Sequence, residues 1–272
     1  MTDRLLDALR AGIVVYDLGR PMFVGMPQSP NHPPYWHTLP RRHGDQDRSD
    51  GSSAANDLIA SGTHVGTHID SLAHVSYRGR LHGGADAAQA QLGGKFLDHG
   101  VHTIAPIVTR GVLLDVASAL GLDACPPGYE ITVADLEATM DHHDVRPEPG
   151  DVVLIRSGWG RRFGDGTESY LGRESGVPGV GEAGAVWLAD TGALAVGADT
   201  IAFEHLAPGG GHSLLPAHRV LLVERGVYII EALDLDELGA AGVHEFTFVA
   251  SPLCLVGATG SPLRPLAVVA GA

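Results

Sequence analysis

The chain has 272 residues, 44% of them hydrophobic and 18% charged, enough apolar material for one large domain with a buried core. Asp and Glu outnumber Lys and Arg by 32 to 18, a formal net charge of -14, which argues against a nucleic-acid or anionic-membrane partner. The two cysteines, Cys125 and Cys254, stand far apart in unlike contexts, so neither a disulfide framework nor a thiolate metal knuckle is expected, and a reducing, cytoplasmic setting fits.

The N-terminal run MTDRLLDALRAGIVVYDL meets acidic residues before it reaches signal-peptide length, and no later segment approaches the roughly 20 apolar residues of a membrane span. IVVYDL (13–18) reads as the first strand, whereas residues 19–60, rich in Pro, Gly and His, read as a long ordered loop region. Further strands are expected at VLLDV (112–116), DVVLIRS (151–157), ALAVGAD (193–199), VYIIEAL (227–233) and EFTFVA (245–250). Helices are expected between them. TVADLEATM (132–140) opens on a capping threonine, GEAGAVWLADTG (181–192) ends on a stop glycine, and LPAHRVLLVERG has Pro216 at its start and Gly226 past its end. The Gly-rich stretch 157–181 reads either as a lid or as a surface excursion. Alternating strands and helices, with no internal repeat, predict a single mixed α/β domain over residues 1–272.

The chemistry concentrates in SGTHVGTHIDSLAHV (61–75), where His64, His68, Asp70 and His74 fall within eleven positions. On a helix, Asp70 would lie about 200° from His68 and face away. In extended backbone, all four positions share one parity and point to one side. Imidazole and carboxylate together suit Zn, Mn or Fe(II), and the pattern is not the helical HExxH, because Val65 stands where the glutamate is needed. His205, His212, His218 and His244, with His82, His99 and His102, are the candidates to complete a site. Among them His218 is expected in the first turn of a helix, whose dipole would keep the ring neutral for ligation. Glu231 shares one face of an apolar strand run with Val227 and Ile229, where a carboxylate is costly unless paired or metal-bound.

The motif His64-Val-Gly66-Thr67-His68-Ile-Asp70-Ser71-Leu-Ala-His74 resembles the signature of the metal-dependent cyclase family that includes bacterial kynurenine formamidases and isatin hydrolases. Many members have proline just after the aspartate, where this chain has Ser71 and Leu72. The stretches VVYDLGRPMFVGMP, PGDVVLIRSGW, VPGVGEAGAVWLADTGALAVGADT and AHRVLLVERGVYIIEAL are similar to further family segments in the same order. The resemblance implies a compact α/β domain of swivelling β/β/α type with a mixed sheet, usually a homo-oligomer such as a dimer or tetramer. It implies that His64, His68 and Asp70 bind Zn2+ or Mn2+, that His218 and Glu231 complete a site of one or two ions, and that His74 is the acid/base. Phe23, Tyr35 or Trp36 would take the place of the family's substrate-contacting aromatic near the N-terminus.

Taken together, these residues point to hydrolysis of an amide, formamide or cyclic amide C–N bond in a small-molecule substrate by metal-activated water, with a histidine acid/base. A non-hydrolytic cyclase or dehydratase of the same family is an alternative. So is an Fe(II) oxygenase with a two-His-one-carboxylate site, although His64 and Glu231 are surplus to that triad.

Overall fold

β-branched runs long enough to be buried on both faces form the centre of the fold. A computed structural model describes residues 4–271; residues 1–3 and 272, the extreme ends of the expected domain, lie outside the described residues. The strands of three or more residues are β1 (Ile13–Asp17), β2 (Trp36–Arg41), β3 (Asn56–Ala60), β4 (His68–Asp70), β5 (Ile107–Asp115), β6 (Val152–Arg156), β7 (Ala195–Ala198), β8 (Tyr228–Glu231), β9 (Glu245–Ala250), β10 (Gly260–Pro262) and β11 (Leu266–Ala270). Nine of them form one mixed sheet in the order β1-β11-β9-β5-β6-β7-β8-β4-β10. The central β5-β6-β7-β8 pairs are parallel, and both flanks are antiparallel.

Alternation along the central strands divides the core in two. Val112, Leu114, Val153, Ile155, Val196 and Ile229 pack beneath helices α1 (Val133–His143) and α2 (Glu182–Asp190), whereas Leu113, Val152, Leu154 and Ile230 pack with Ile69, Phe246 and Phe248. α1 begins where Thr132 and Asp135 cap each other's backbone N–H reciprocally. The result is one compact domain of the expected mixed α/β class. Among the described residues, no helix is long and apolar enough to cross a membrane.

Three local expectations need correction. Residues 19–60 are not all loop: β2 and β3 pair as an antiparallel hairpin, with Trp36 opposite Ala60 and Thr38 opposite Leu58. Its strands are exposed, so no core-facing alternation advertises them. Residues 157–181 are neither lid nor surface excursion, because Trp159, Phe163, Tyr170 and Leu171 are buried with Met26, Tyr35 and Val65 in a third apolar cluster. The apolar side chains between the glycines decide that placement. Finally, the distal helix is a three-residue turn, Pro216–His218, that passes into a π-helix, Arg219–Arg225, a wider coil common near functional sites.

Candidate metal centre

The site sits where β4 is inserted between β8 and β10. Antiparallel register sets Glu231 opposite His68, and directly opposed residues project to the same face. Asp70, two residues on from His68, joins them. His64 and His74 arrive differently from the extended reading: only His68–Asp70 is strand, and turns carry the other two in, one through Gly66 at φ +69°. The parity argument therefore holds for His68 and Asp70 but not for the whole segment. All six residues expected at the site nevertheless meet.

Asp70 is the hub and is fully buried. Its Oδ1 lies 2.6 Å from His64 Nδ1 and 3.5 Å from His68 Nε2, and its Oδ2 lies 3.5 Å from His218 Nε2. Glu231 spans the other side, with its oxygens 3.3 Å from His68 Nε2 and 3.2 Å from His218 Nε2. The His74 ring stacks on His64 with centroids 3.8 Å apart. His64, Asp70 and His74 form one group of potential ligands within mutual reach of an ion, and His68, Asp70 and Glu231 form a second that shares Asp70. Asp70 Oδ2 and Glu231 Oε1 are buried without a hydrogen-bond partner. Buried carboxylate lone pairs are costly to leave unmatched, so imidazoles and carboxylates converging around them fit a divalent cation.

Charge in the cavity follows from this crowding. Burial alone would raise the Asp70 pKa, but the rings of His74, His64 and His218 hold it well below the usual carboxylate range. Burial opposes ionisation of Glu231 too, and His218 and His68 bring its pKa down to about 2. The imidazoles divide. Burial would depress His68 and His218, yet the carboxylates around them raise both, His218 well above its ordinary value. The helix-end argument for a neutral His218 therefore fails, because three carboxylates outweigh one short turn. His74 goes the other way: burial lowers it to about 4.

Sequence reasoning missed the groups that hold the candidate ligands in place. Glu204, buried, accepts from the backbone N–H of Ala217 and His218, both at 3.0 Å, and from His218 Nδ1 at 2.6 Å. That leaves His218 Nε2 to face Asp70 and Glu231, the arrangement by which a carboxylate orients a ligating imidazole. His68 Nδ1 donates to the Gly66 carbonyl at 2.8 Å in the same manner. His64 Nε2 meets Thr259 Oγ1 at 2.8 Å, and a Cβ on Gly260 would stand 2.5 Å from His64 Cε1. Ser71 is fully buried and does not shape the pocket wall; its N–H and hydroxyl both donate to the Thr259 carbonyl.

His64, His68, His74, His218 and Glu231 line a cavity of about 260 Å3, with Asp70 buried behind them. A larger groove of about 820 Å3, beside Asp17, Leu253 and Arg264, contains none of them and is shallow surface rather than the chemical centre. Of the other candidate histidines, His212 lines the cavity. His205 bonds to the Gly128 carbonyl, His82 to that of Val223 and His99 to that of His82, while His102 accepts from Gly257 N–H and His244 stacks on His143. Phe23, Tyr35 and Trp36 do not line the cavity: Tyr35 is buried in the third apolar cluster, and the other two are exposed.

A family model described as a putative cyclase matches residues 16–205. The chain is 27% identical over 224 residues to an isatin hydrolase of Roseibium aggregatum, covering 81% of this chain and 77% of that one. A crystal structure of a novel cyclase superposes with a TM-score of 0.86 at 29% identity, over 98% of this chain and 93% of the other. Isatin hydrolase A from Ralstonia solanacearum gives 0.74 at 26% identity, over 99% and 98%.

Proposed function

This chain belongs to the cyclase family, and from that premise we propose that it is a metal-dependent hydrolase of amide, formamide or cyclic amide C–N bonds. The observation that carries the reading is the convergence of His64, His68, His218 and Glu231 around buried Asp70, with two buried carboxylate oxygens left without a hydrogen-bond partner. Those five residues would hold one or two ions of Zn2+ or Mn2+. A divalent cation held there would polarise the scissile carbonyl and lower the pKa of water towards neutrality.

The remaining chemistry falls to His74. Burial keeps its ring neutral at pH 7, and among the described residues the ring makes no hydrogen bond, so a lone pair is free to accept a proton. Hydrolysis adds water oxygen to the carbonyl carbon and breaks the C–N bond. His74 takes the proton released by the attacking water and returns it to the leaving nitrogen, so the enzyme ends unchanged. The stack on His64 fixes the plane of the ring while it does so.

Replacement of His74 by Ala tests the assignment. Metal content should be retained and turnover should fall by about 10²-fold or more, the usual contribution of a general acid/base. Retained metal with a loss below about tenfold would remove His74 from that role.

A further inference from the structure

Resting on the hydrolase reading, we infer that the site takes a compact, uncharged, non-aryl amide or formamide that carries hydrogen-bonding groups, and that Asn31, His32 and His212 read those groups. The cavity of about 260 Å3 has two unlike sides. The ligating residues make one. The other is built from Asn31, His32 and His212 with an apolar strip of Val75, Ile201 and Leu215.

The polar side is poised for a ligand. The His32 ring lies 5.2 Å from that of His64 and 6.3 Å from that of His74, so a molecule at the reacting centre reaches it within a few bonds. Among the described residues, neither the imidazoles of His32 and His212 nor the Asn31 side-chain amide makes a hydrogen bond; the backbone N–H groups of Asn31 and His32 are used locally, on Ser29 Oγ and the Ser29 carbonyl. Both rings are part-buried, so they offer donors and acceptors that a bound molecule must match. An aryl face laid against them would leave them dry and unpaired, a mismatch that polar sites reject strongly.

Among the described residues, the lining supplies no carbocyclic aromatic ring for a fused aryl substrate to stack on. Among the described residues it also supplies no lysine or arginine, so a substrate carboxylate held on the side away from the ligating residues has no fixed counter-charge. A hydroxyl, amide or carbonyl two to four bonds from the scissile group satisfies both sides.

Binding of two hydroxamates to the metal-loaded protein tests this by calorimetry. 2-Hydroxyacetohydroxamate should bind at least about tenfold tighter than benzohydroxamate, and the double variant Asn31→Leu/His212→Leu, with unchanged metal content, should bring the two within about threefold. Tighter binding of benzohydroxamate, or a preference untouched by the double variant, overturns the inference. Hydrolysis of N-formylserinamide and formanilide is followed on the same samples. No hydrolysis of either, with the hydroxamate preference intact, overturns the hydrolase reading and leaves the recognition wall standing. Preferred hydrolysis of formanilide does the reverse.

Discussion

Removing the Glu204 carboxylate should uncouple His218 from the site. Glu204→Ala strands three donors at once: Ala217 N–H and His218 N–H, each at 3.0 Å, and His218 Nδ1 at 2.6 Å. A hydrogen bond to a charged acceptor contributes about 1.5–3 kcal/mol, but donors that share one acceptor do not add in full, so a total stability loss of about 3–5 kcal/mol is expected. The imidazole then turns freely about its side chain, and loss of such an orienting partner typically weakens metal binding by about 10–100-fold. Glu204→Gln keeps the shape but turns an NH2 group towards one backbone donor, so it should cost about 1–2 kcal/mol and about tenfold in affinity. Urea unfolding of the metal-free protein and chelator competition for the metal measure the two effects separately. Wild-type metal affinity in both variants would refute the claim that Glu204 orients a ligand.

Gly260→Ala places a methyl group 2.5 Å from His64 Cε1 and 2.9 Å from the Ile69 carbonyl, so His64 must move; metal occupancy should fall, with about 1–3 kcal/mol of destabilisation, as read by metal analysis and thermal melting. Metal binding should release protons. His218 is raised well above its ordinary value in the metal-free site and His68 is raised too, so at neutral pH a proton must leave His218 before its nitrogen ligates, and affinity should increase as pH rises; calorimetry in buffers of different ionisation heat counts the protons, and zero release at pH 7 would contradict the assignment. A thiol reagent at neutral pH should label the native protein once, at exposed Cys254, because burial pushes the Cys125 thiol up to about 12; peptide mapping identifies the labelled site.

His64, His68, Asp70 and His74 are legible in the sequence because four imidazole or carboxylate side chains lie within eleven residues. His218 and Glu231 sit far along the chain; a helix start at Pro216 and a lone carboxylate on an apolar strand run marked them, family likeness added to that, and β8 brings Glu231 across from His68. Glu204 left no such trace. In IAFEHLAP it looks like any solvated glutamate, and only the folded chain shows it buried against the turn that carries His218. The central strands were readable as apolar runs, but β4 and β10 have three residues each, too few for a period to register. That is why the segment 61–75 suggested one continuous extended run, when turns do half of the gathering. The non-glycine residues Phe203 and Ala232, at φ +51° and +53°, flank Glu204 and Glu231; a left-handed backbone at such residues is set by packing from elsewhere in the chain.

On the proposed function, a divalent cation held by the histidine and carboxylate cluster is needed to break a C–N bond. The most direct measurement follows the hydrolysis of N-formyl, lactam and cyclic imide substrates by the purified protein before chelation, after it, and after return of Zn2+ or Mn2+. Turnover should fall by about 10²-fold or more on chelation and recover with the ion. Turnover that persists undiminished in protein shown by metal analysis to carry no divalent ion would contradict it.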